Sequence, residues 1–442
     1  MNDSARQSIP ARIFHVLSGF GLATTLLVIL MVETWLATLE QVHFGLHATL
    51  QKYFDIKEFI VIPDAGVFGE SLVGKKLLPL PGGYWVCALL ALNLTLGGII
   101  RMRKGWRTAG VLLAHFSIVF MIVAGGVAQL KEERGVMMLS EDDKGLPKTA
   151  DYANSFTETT IEITEVKDGK PVGPVHFVKD ANYSDLQFEP PNRSAFDRFL
   201  SSIGVGPGYS KDPRKILLPK LPFDLEVQGF VPNAKAMSTS SMAPERGEPV
   251  VDGWFLFSRE PNKEAELDTP GVHARIVPRD GGKGQVMLLV ATDPDAFAPR
   301  APVTVKSGDR TFLIRLDKRV WPVPFKVTLV DARSEYHPNT TRPKLFESDI
   351  IRMQNGQETK HFIEMNEPMR QGGLTFYQRT MMNGPAGASK EATISGFEVV
   401  RNPSDKWPEW SIYVAGFGLC LHFIIKLVTF LTRSKSTPAP QP

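Results

Sequence analysis

His115 is an ionisable residue inside the apolar run TAGVLLAHFSIVFMIVAGGVAQL (residues 108–130), which is long enough to cross a bilayer. An unsatisfied polar group in hydrocarbon costs several kcal/mol, so this imidazole needs a partner. Two interpretations stay open. The ring hydrogen-bonds a neighbouring helix, or it serves as a metal ligand, a common role of neutral imidazole in proteins. Counted from a boundary near Thr108 at about 1.5 Å per residue, the histidine lies roughly 10 Å deep.

The other histidines of the chain are weaker candidates for a ligand. His422 reaches a comparable depth in a second apolar run and is a second candidate ligand, whereas His15 lies at the inner end of the first run and needs no special explanation. We predict no catalytic residue, because no acid–base pair or nucleophile constellation stands out. Metal-ligand spacing is also missing among four further histidines, which we interpret as solvated or structural: His176, His273, His337 and His361.

Four apolar segments satisfy the requirement of about 20 residues for a membrane-spanning helix. They are Ile13–Val32, Tyr84–Ile100, Thr108–Leu130 and Trp410–Leu431. The third carries a stripe of small residues that predicts close packing against a neighbouring helix: Gly110, Ala114, Ser117, Ala124 and Ala128. No cleavage-site pattern follows the first segment, so we expect an uncleaved span.

Basic residues in short loops predict the orientation of these spans. The loop RMRKGWR (residues 101–107) joins the second and third spans, and both termini are also basic. These regions are expected in the cytoplasm of a bacterium, with the chain crossing its inner membrane several times. The predicted organisation is then 1–38 (cytoplasmic N-terminus and first span), 39–83 (extracytoplasmic segment), 84–130 (second and third spans), 131–408 (extracytoplasmic domain) and 409–442 (fourth span and cytoplasmic tail).

The 131–408 region alternates apolar and polar residues in short runs, which predicts a mainly-β domain of sandwich or barrel-like form. Such runs include TTIEITEV, FDLEVQGF, QVMLLVAT, TFLIRL and FKVTLVDA. A short amphipathic helix is expected at 194–204. Segments 221–235 and 323–339 share a Pro-Phe start and a later Pro-Asn, which suggests a duplicated β-unit. The predicted fold class is therefore four membrane-spanning α-helices plus a large mainly-β extracytoplasmic domain.

Composition excludes several function classes. The 442-residue chain has a formal net charge of +3, which is too small to indicate a nucleic-acid-binding protein. A mean hydropathy of −0.07 fits a few spans attached to a large aqueous domain. Both cysteines, Cys87 and Cys420, fall in apolar runs, so no structural disulfide is expected in the external domain. No C-x-x-C-H, G-x-G-x-x-G, P-loop or H-E-x-x-H pattern occurs.

Several segments, taken in order, resemble one known family. IEMNEPMRQGGLTFYQRTM (363–381) resembles the N-x-P-x-x-x-x-G-x-x-x-Y-Q signature of the ResB (CcsB) family of cytochrome c biogenesis proteins. Just upstream, FKVTLVDARSEYHPNTTRPKLFESDI (325–350) resembles the strand and HPgT segment of that family. TLEQVHFGLHATLQKYF (38–54) is similar to its segment after the first span, and LLAHFSIVFMIVAG to its histidine-bearing helix. The resemblance runs from about residue 12 to 432.

The resemblance implies a subunit of the type II cytochrome c maturation system, without activity alone. With a tryptophan-rich CcsA-type membrane partner, such a protein moves haem b outward and supports its covalent attachment to apocytochrome c. The axial haem ligand of the family helix corresponds to His115. TWLATLEQ departs from the family's Gly-Thr-x-x-Gln pattern, which leaves Glu33 and Glu40 without an assigned role.

Three questions stay open at this point. The chain could be a membrane-anchored β-domain scaffold that binds no haem, or a b-type haem electron carrier with His115 and His422 on one iron. The cations of RMRKGWR fit haem propionates, but orientation alone would also explain them. The 363–381 signature is better explained as a fold-determining turn than as a binding loop, since Asn, Pro and Gly are turn residues.

Overall fold

The computed structural model describes residues 9–72, 75–142, 146–188, 210, 212–244, 249–292, 301–340, 342–383 and 393–434. It divides into two compact units. One consists of Met1–His43, Ala48–Glu132 and Asn402–Pro442, and the other of Phe44–His47 and Glu133–Arg401. The helix expected at 194–204 lies outside the described residues.

The first unit is helical. The described helices are α1 (Ile9–Leu17), α2 (Phe20–Phe44), α3 (Leu46–Phe54), α4 (Gly83–Asn93), α5 (Ala109–Lys131) and α6 (Trp407–Ser434), with a short hairpin of β1 (Ile60–Val61) and β2 (Leu80–Pro81). A π-helical segment, Leu94–Ile100, continues α4. Four stretches are long and apolar enough to span a membrane: Phe20–Phe44, Gly83–Ile100, Trp106–Lys131 and Trp407–Thr432. The prediction of four spans is confirmed.

The predicted position of the first span, Ile13–Val32, is wrong. The helix breaks at Ser18–Gly19 and restarts as α2, which continues to Phe44. A side chain of the second span stabilises this break: the Asn93 amide donates hydrogen bonds to the carbonyls of Leu17 (2.6 Å) and Gly19 (3.0 Å). The break disturbs the backbone hydrogen bonding of the helix, and the amide supplies a donor to both carbonyls, of which Gly19 also accepts from the backbone nitrogen of Ala23 at 3.3 Å.

The second unit is mainly β, as the alternation predicts. Its strands are β3 (Glu133–Ser140), β4 (Thr149–Lys167), β5 (Lys170–Pro171), β6 (His176–Lys179), β7 (Arg214–Ile216), β8 (Phe223–Val231), β9 (Ala234–Ser238), β10 (Trp254–Ser258), β11 (Gly271–Pro278), β12 (Val286–Val290), β13 (Val303–Ser307), β14 (Arg310–Tyr336), β15 (Pro343–Gln354), β16 (Gln357–Glu364), β17 (Met369–Gln371), β18 (Leu374–Asn383) and β19 (Thr393–Arg401).

All described strand pairs are antiparallel. The largest sheet has the order β16-β15-β14-β4-β3-β19-β18-β17, with β13 also paired to β14 and with β5 and β6 paired to β4. A four-stranded sheet has the order β12-β11-β8-β7, and β9 pairs with β10. Segments 221–235 and 323–339, which suggest a duplicated unit, therefore enter different sheets, through β8 and β14.

The 27-residue strand β14 contributes to both large apolar cores of this unit. Its first half buries Phe312 and Ile314 with residues of β8 and β11, and its second half buries Phe325 and Val327 with residues of β18 and β19. The register against β4 shifts near Pro322, which cannot donate a ladder hydrogen bond. The runs TFLIRL and FKVTLVDA are thus two parts of one strand.

The 363–381 signature folds as predicted into strands and tight turns. Gly372 and Gly373, with φ of 60° and 75°, form the two-residue turn between β17 and β18, in a conformation that favours glycine. Gln378 follows in β18 and is buried. Its amide accepts a hydrogen bond from Ser348 (2.8 Å) and donates one to Ser395 (3.0 Å), and both serines are fully buried. These contacts support the interpretation of the signature as fold-determining.

Replacing Gln378 by leucine should destabilise the β unit. The change removes two hydrogen bonds to buried hydroxyls, which stay bonded to each other at 2.8 Å, and each lost bond costs about 0.5–1.5 kcal/mol. We expect a lower melting temperature for Gln378→Leu, measured by circular dichroism on the full chain in detergent. Gln357→Leu, at an exposed position of β16, serves as control. Equal melting temperatures for the two variants would contradict the structural role.

Lys318 is a half-buried cation on β14. Its Nζ donates to the carbonyl of Phe156 at 2.7 Å and to that of Ala265 at 3.4 Å. Burial lowers the pKa of Lys318 from 10.5 to about 8, against the opposing effect of Asp268 and other nearby carboxylates. The folded protein therefore releases this proton at a lower pH than the unfolded chain does.

The Lys318 pKa predicts a pH dependence of stability. Between a pH of about 8 and 10.5 the unfolded chain holds a proton that the folded protein has lost. The Lys318 contribution to the free energy of unfolding therefore rises with pH across this window. Lys318→Met should remove that rise in thermal unfolding curves, whereas Lys326→Met, an exposed position of the same strand, should keep it. An unchanged slope in Lys318→Met would refute the assignment.

Candidate functional site

His115 lies near the start of α5 and faces the end of the second span. Its Nδ1 lies 3.1 Å from the carbonyl oxygen of Gly98 in the π-helical segment. The last carbonyls of a helix lack intrahelical partners, and this bond supplies one. A carbonyl oxygen accepts hydrogen bonds and never donates, so Nδ1 carries the proton and the neutral ring has its lone pair on Nε2.

Gly98 is required for this close approach. A Cβ on Gly98 would lie 2.7 Å from Nδ1 of His115 and 3.0 Å from its Cγ. Any larger residue would therefore push the imidazole away from the carbonyl. The role of Gly98 was not predicted, and the signal for it in the sequence is the Gly97–Gly98 pair inside an otherwise apolar span. Gly98 also lies in a π-helical turn, and such turns occur frequently at functional sites.

The other ring nitrogen is available. Nε2 of His115 makes no hydrogen bond to any residue in the described part of the chain, and the side chain is half-buried. Metal-ligating histidines typically donate one ring N–H to a carbonyl or carboxylate, which fixes the tautomer and directs the lone pair of the other nitrogen. The His115–Gly98 pair has this arrangement, so the residues present fit a haem iron that takes an imidazole as axial ligand.

Helices α5 and α6 pack with their backbones in close approach. A Cβ on Gly110 would lie 2.4 Å from the Gly418 carbonyl oxygen, and one on Gly418 would lie 2.7 Å from the Gly110 oxygen. The predicted stripe of small residues is confirmed in its buried members, which are Gly110, Ala114, Ser117 and Ala124. Small residues permit this separation between helices in a membrane.

His422 and His15 have different surroundings from His115. The backbone nitrogen of His422 would lie 2.6 Å from a Cβ on Gly110, so its backbone faces α5. Its Nδ1 is buried and has no hydrogen-bond partner among the described residues. His15 is exposed on α1, outside the first span. Within the described ranges, no three His, Cys, Asp or Glu side chains come together as a metal-binding group.

Two cationic side chains of the RMRKGWR loop form hydrogen bonds to nearby oxygens and stabilise the local structure. Arg101 donates to Ser18 Oγ at 3.2 Å, beside the break between α1 and α2, and Lys104 donates to the carbonyl of Ile100 at 2.7 Å. The role of Arg101 at this break was missed from the sequence. Arg103 and Arg107 are exposed. These two guanidinium groups are therefore the loop cations best placed to meet an anionic ligand.

A family model, that of the ResB-like family, matches residues 99–401, more than half of the chain. The chain belongs to the ResB-like family. This is the family of the cytochrome c biogenesis protein ResB/CcsB, and membership gives the chain a role in cytochrome c biogenesis. The match includes His115 and the 363–381 signature, and it excludes the first and fourth spans and all but the last two residues of the second. No curated protein matches the chain.

Close packing of α5 and α6 in this ResB-like protein makes Gly110 intolerant of larger side chains. Gly110→Leu would place atoms where the Gly418 carbonyl lies, and overpacking typically costs about 1–3 kcal/mol. We expect a clear loss of thermal stability in detergent, followed by circular dichroism. Gly125→Leu, on the same helix with open space around its Cα, should keep or raise the melting temperature. Equal stability of the two variants would contradict the helix pairing.

Proposed function

We propose that this ResB-like chain binds haem b through His115 within the membrane and passes it to the extracytoplasmic side for covalent attachment to apocytochrome c. It does so as one half of a complex with a CcsA-type, tryptophan-rich membrane subunit. Haem is the cargo of this complex. The large β domain, on the extracytoplasmic side of the bacterial inner membrane, would hold the apocytochrome or brace the partner.

One observation supports this proposal most strongly. The hydrogen bond from Nδ1 of His115 to Gly98 leaves Nε2 with a lone pair and without a partner in the described residues. The Gly98 bond alone would also suit a histidine that only joins two helices, and the unpartnered Nε2 is what a metal ligand requires in addition. Ionisable residues inside spans are functional by default, and this one lies in the part of the chain matched to the family.

The cytoplasmic loop offers cations for the charged end of haem. Haem is apolar except for its two propionates, which suits a site in the inner half of a bilayer. Arg103 and Arg107 are exposed, whereas Arg101 and Lys104 bond to backbone or side-chain oxygens nearby. Guanidinium groups bind carboxylates through charge-assisted hydrogen bonds. We infer that Arg103 and Arg107 pair with the propionates, in addition to the effect of the loop on orientation.

Visible absorption tests the ligand assignment. The full chain is purified with and without its CcsA-type partner, as wild type and as His115→Ala and His422→Ala. Haem transport predicts a Soret band that is strengthened by the partner, lost in His115→Ala and mostly kept in His422→Ala. Haem is read directly, so the test does not depend on completed cytochromes.

Each rival function predicts a different spectrum. A scaffold without haem would show no Soret band in any preparation. A b-type electron carrier would keep bis-histidine haem when purified alone, and would lose it in both histidine variants. Either result would overturn the proposal.

A second variant tests the Gly98 bond. Gly98→Ala keeps His115 but displaces its imidazole, since a Cβ would lie 2.7 Å from Nδ1. Loss of a partner that orients a metal-ligating histidine typically lowers affinity about 10–100-fold. We expect haem affinity to fall by about tenfold or more in Gly98→Ala, measured by haem titration. Gly125→Ala has open space in α5 and should bind like wild type; equal affinity of both variants would contradict the role of Gly98.

A further inference from the structure

Glu33 is a carboxyl group buried in the middle of a membrane-spanning helix. It lies in α2 with 0 % of its surface exposed, and neither carboxylate oxygen has a hydrogen-bond partner among the described residues. Oε2 would lie 3.0 Å from a Cβ on Gly83, at the start of α4, and the Phe54 ring lies against the same point. The carboxyl therefore packs against bare backbone and an aromatic ring.

An ionised carboxylate cannot persist in such surroundings without compensation. Transfer of an isolated carboxylate into an apolar medium costs so much that the group takes up a proton instead. A protonated carboxyl is neutral, so burying it costs about as much free energy as burying an ordinary polar group. The position of Glu33 therefore favours the acid form on geometry alone.

Glu40 provides an internal comparison. It lies seven residues further along α2, two turns away on the same face, and it is also 0 % exposed. Glu40 has three partners: Lys52 Nζ at 2.7 Å, Tyr53 OH at 3.0 Å and the backbone nitrogen of Asp64 at 2.6 Å. One cation and two neutral donors stabilise its charged form. Two equally buried carboxyls thus differ in whether their charge is compensated.

Among the described residues, the groups around Glu33 offer it no cation. Lys52 pairs with Glu40, and the Asp64 carboxylate accepts from the backbone of Gly66. Cys87 of α4 and Tyr53 of α3 lie within electrostatic reach of Glu33, and both are neutral in their usual protonated forms. Burial and the neighbouring Glu40 hold the pKa of Tyr53 above its usual range, so the phenol keeps its proton.

We propose that Glu33 is a proton-binding site inside the membrane-spanning unit, a buried carboxyl that holds its proton without a hydrogen-bond partner among the described residues. Uptake forms one O–H bond on the Glu33 carboxylate, and release breaks it. The proposal is independent of haem binding by His115.

Carbodiimide labelling of the wild-type chain tests the site without any substitution. Carbodiimides react with protonated carboxyls in apolar surroundings, and mass spectrometry locates the adduct. We expect an adduct on Glu33, falling as the pH is raised, and none on Glu40. An adduct on Glu40 with Glu33 unmodified would overturn the proposal.

Infrared spectroscopy of the full chain provides the second measurement. The carbonyl stretch of a protonated carboxyl should be present at a pH where exposed carboxyls are ionised. Glu33→Gln should abolish this band with little change in melting temperature, because the amide resembles the neutral acid in size and charge. A band that persists in Glu33→Gln would belong to another carboxyl and refute the site, and a marked loss of stability in that variant would also refute it.

Discussion

A polar side chain inside a bilayer must find its hydrogen-bonding partner within the protein, and the His115–Gly98 bond meets this constraint. The bond joins the second and third membrane-spanning segments and satisfies a carbonyl near the end of a π-helical turn. It also fixes which ring nitrogen carries the proton. The same contact that makes the histidine tolerable in the membrane therefore leaves the lone pair on its other nitrogen, as the proposed ligand role requires.

Burial inside the protein creates the same need for partners, and buried polar groups of both units meet it. In the helical unit, Asn93 satisfies the carbonyls exposed where α1 breaks from α2, and Glu40 has three partners. In the β unit, Gln378 shares hydrogen bonds with two buried serines. Glu33 departs from this rule, because both of its carboxyl oxygens have no partner in the described part of the chain. Such departures are expected at functional sites.

Much of the fold could be predicted because it follows from local patterns. Long apolar runs define the four spans, period-two alternation defines the strands, and Gly372–Gly373 defines a tight turn. The first span was misplaced because its apolar window ends before Glu33, whereas the structure buries Glu33 and Glu40 inside the helix. Two apparent strands proved to be one, β14, because Pro322 and Pro324 interrupt the pattern without ending the strand.

Contacts at the site were harder to predict than the elements. His115 could be found by its type and depth, but its partner depends on the rotation and spacing of two helices. Asn93, Gly98 and Arg101 act on atoms far away in sequence, and no local period reports such contacts. The small-residue stripe of α5 was predictable because close helix packing has a known residue preference.

Chemical rescue tests the central claim most directly. His115→Gly removes the imidazole and leaves space that free imidazole can enter. If Nε2 of His115 ligates haem iron, the purified complex carrying His115→Gly should lose the low-spin haem spectrum and regain it when imidazole is added. A His115→Gly complex that retains the wild-type spectrum without added imidazole would contradict the account.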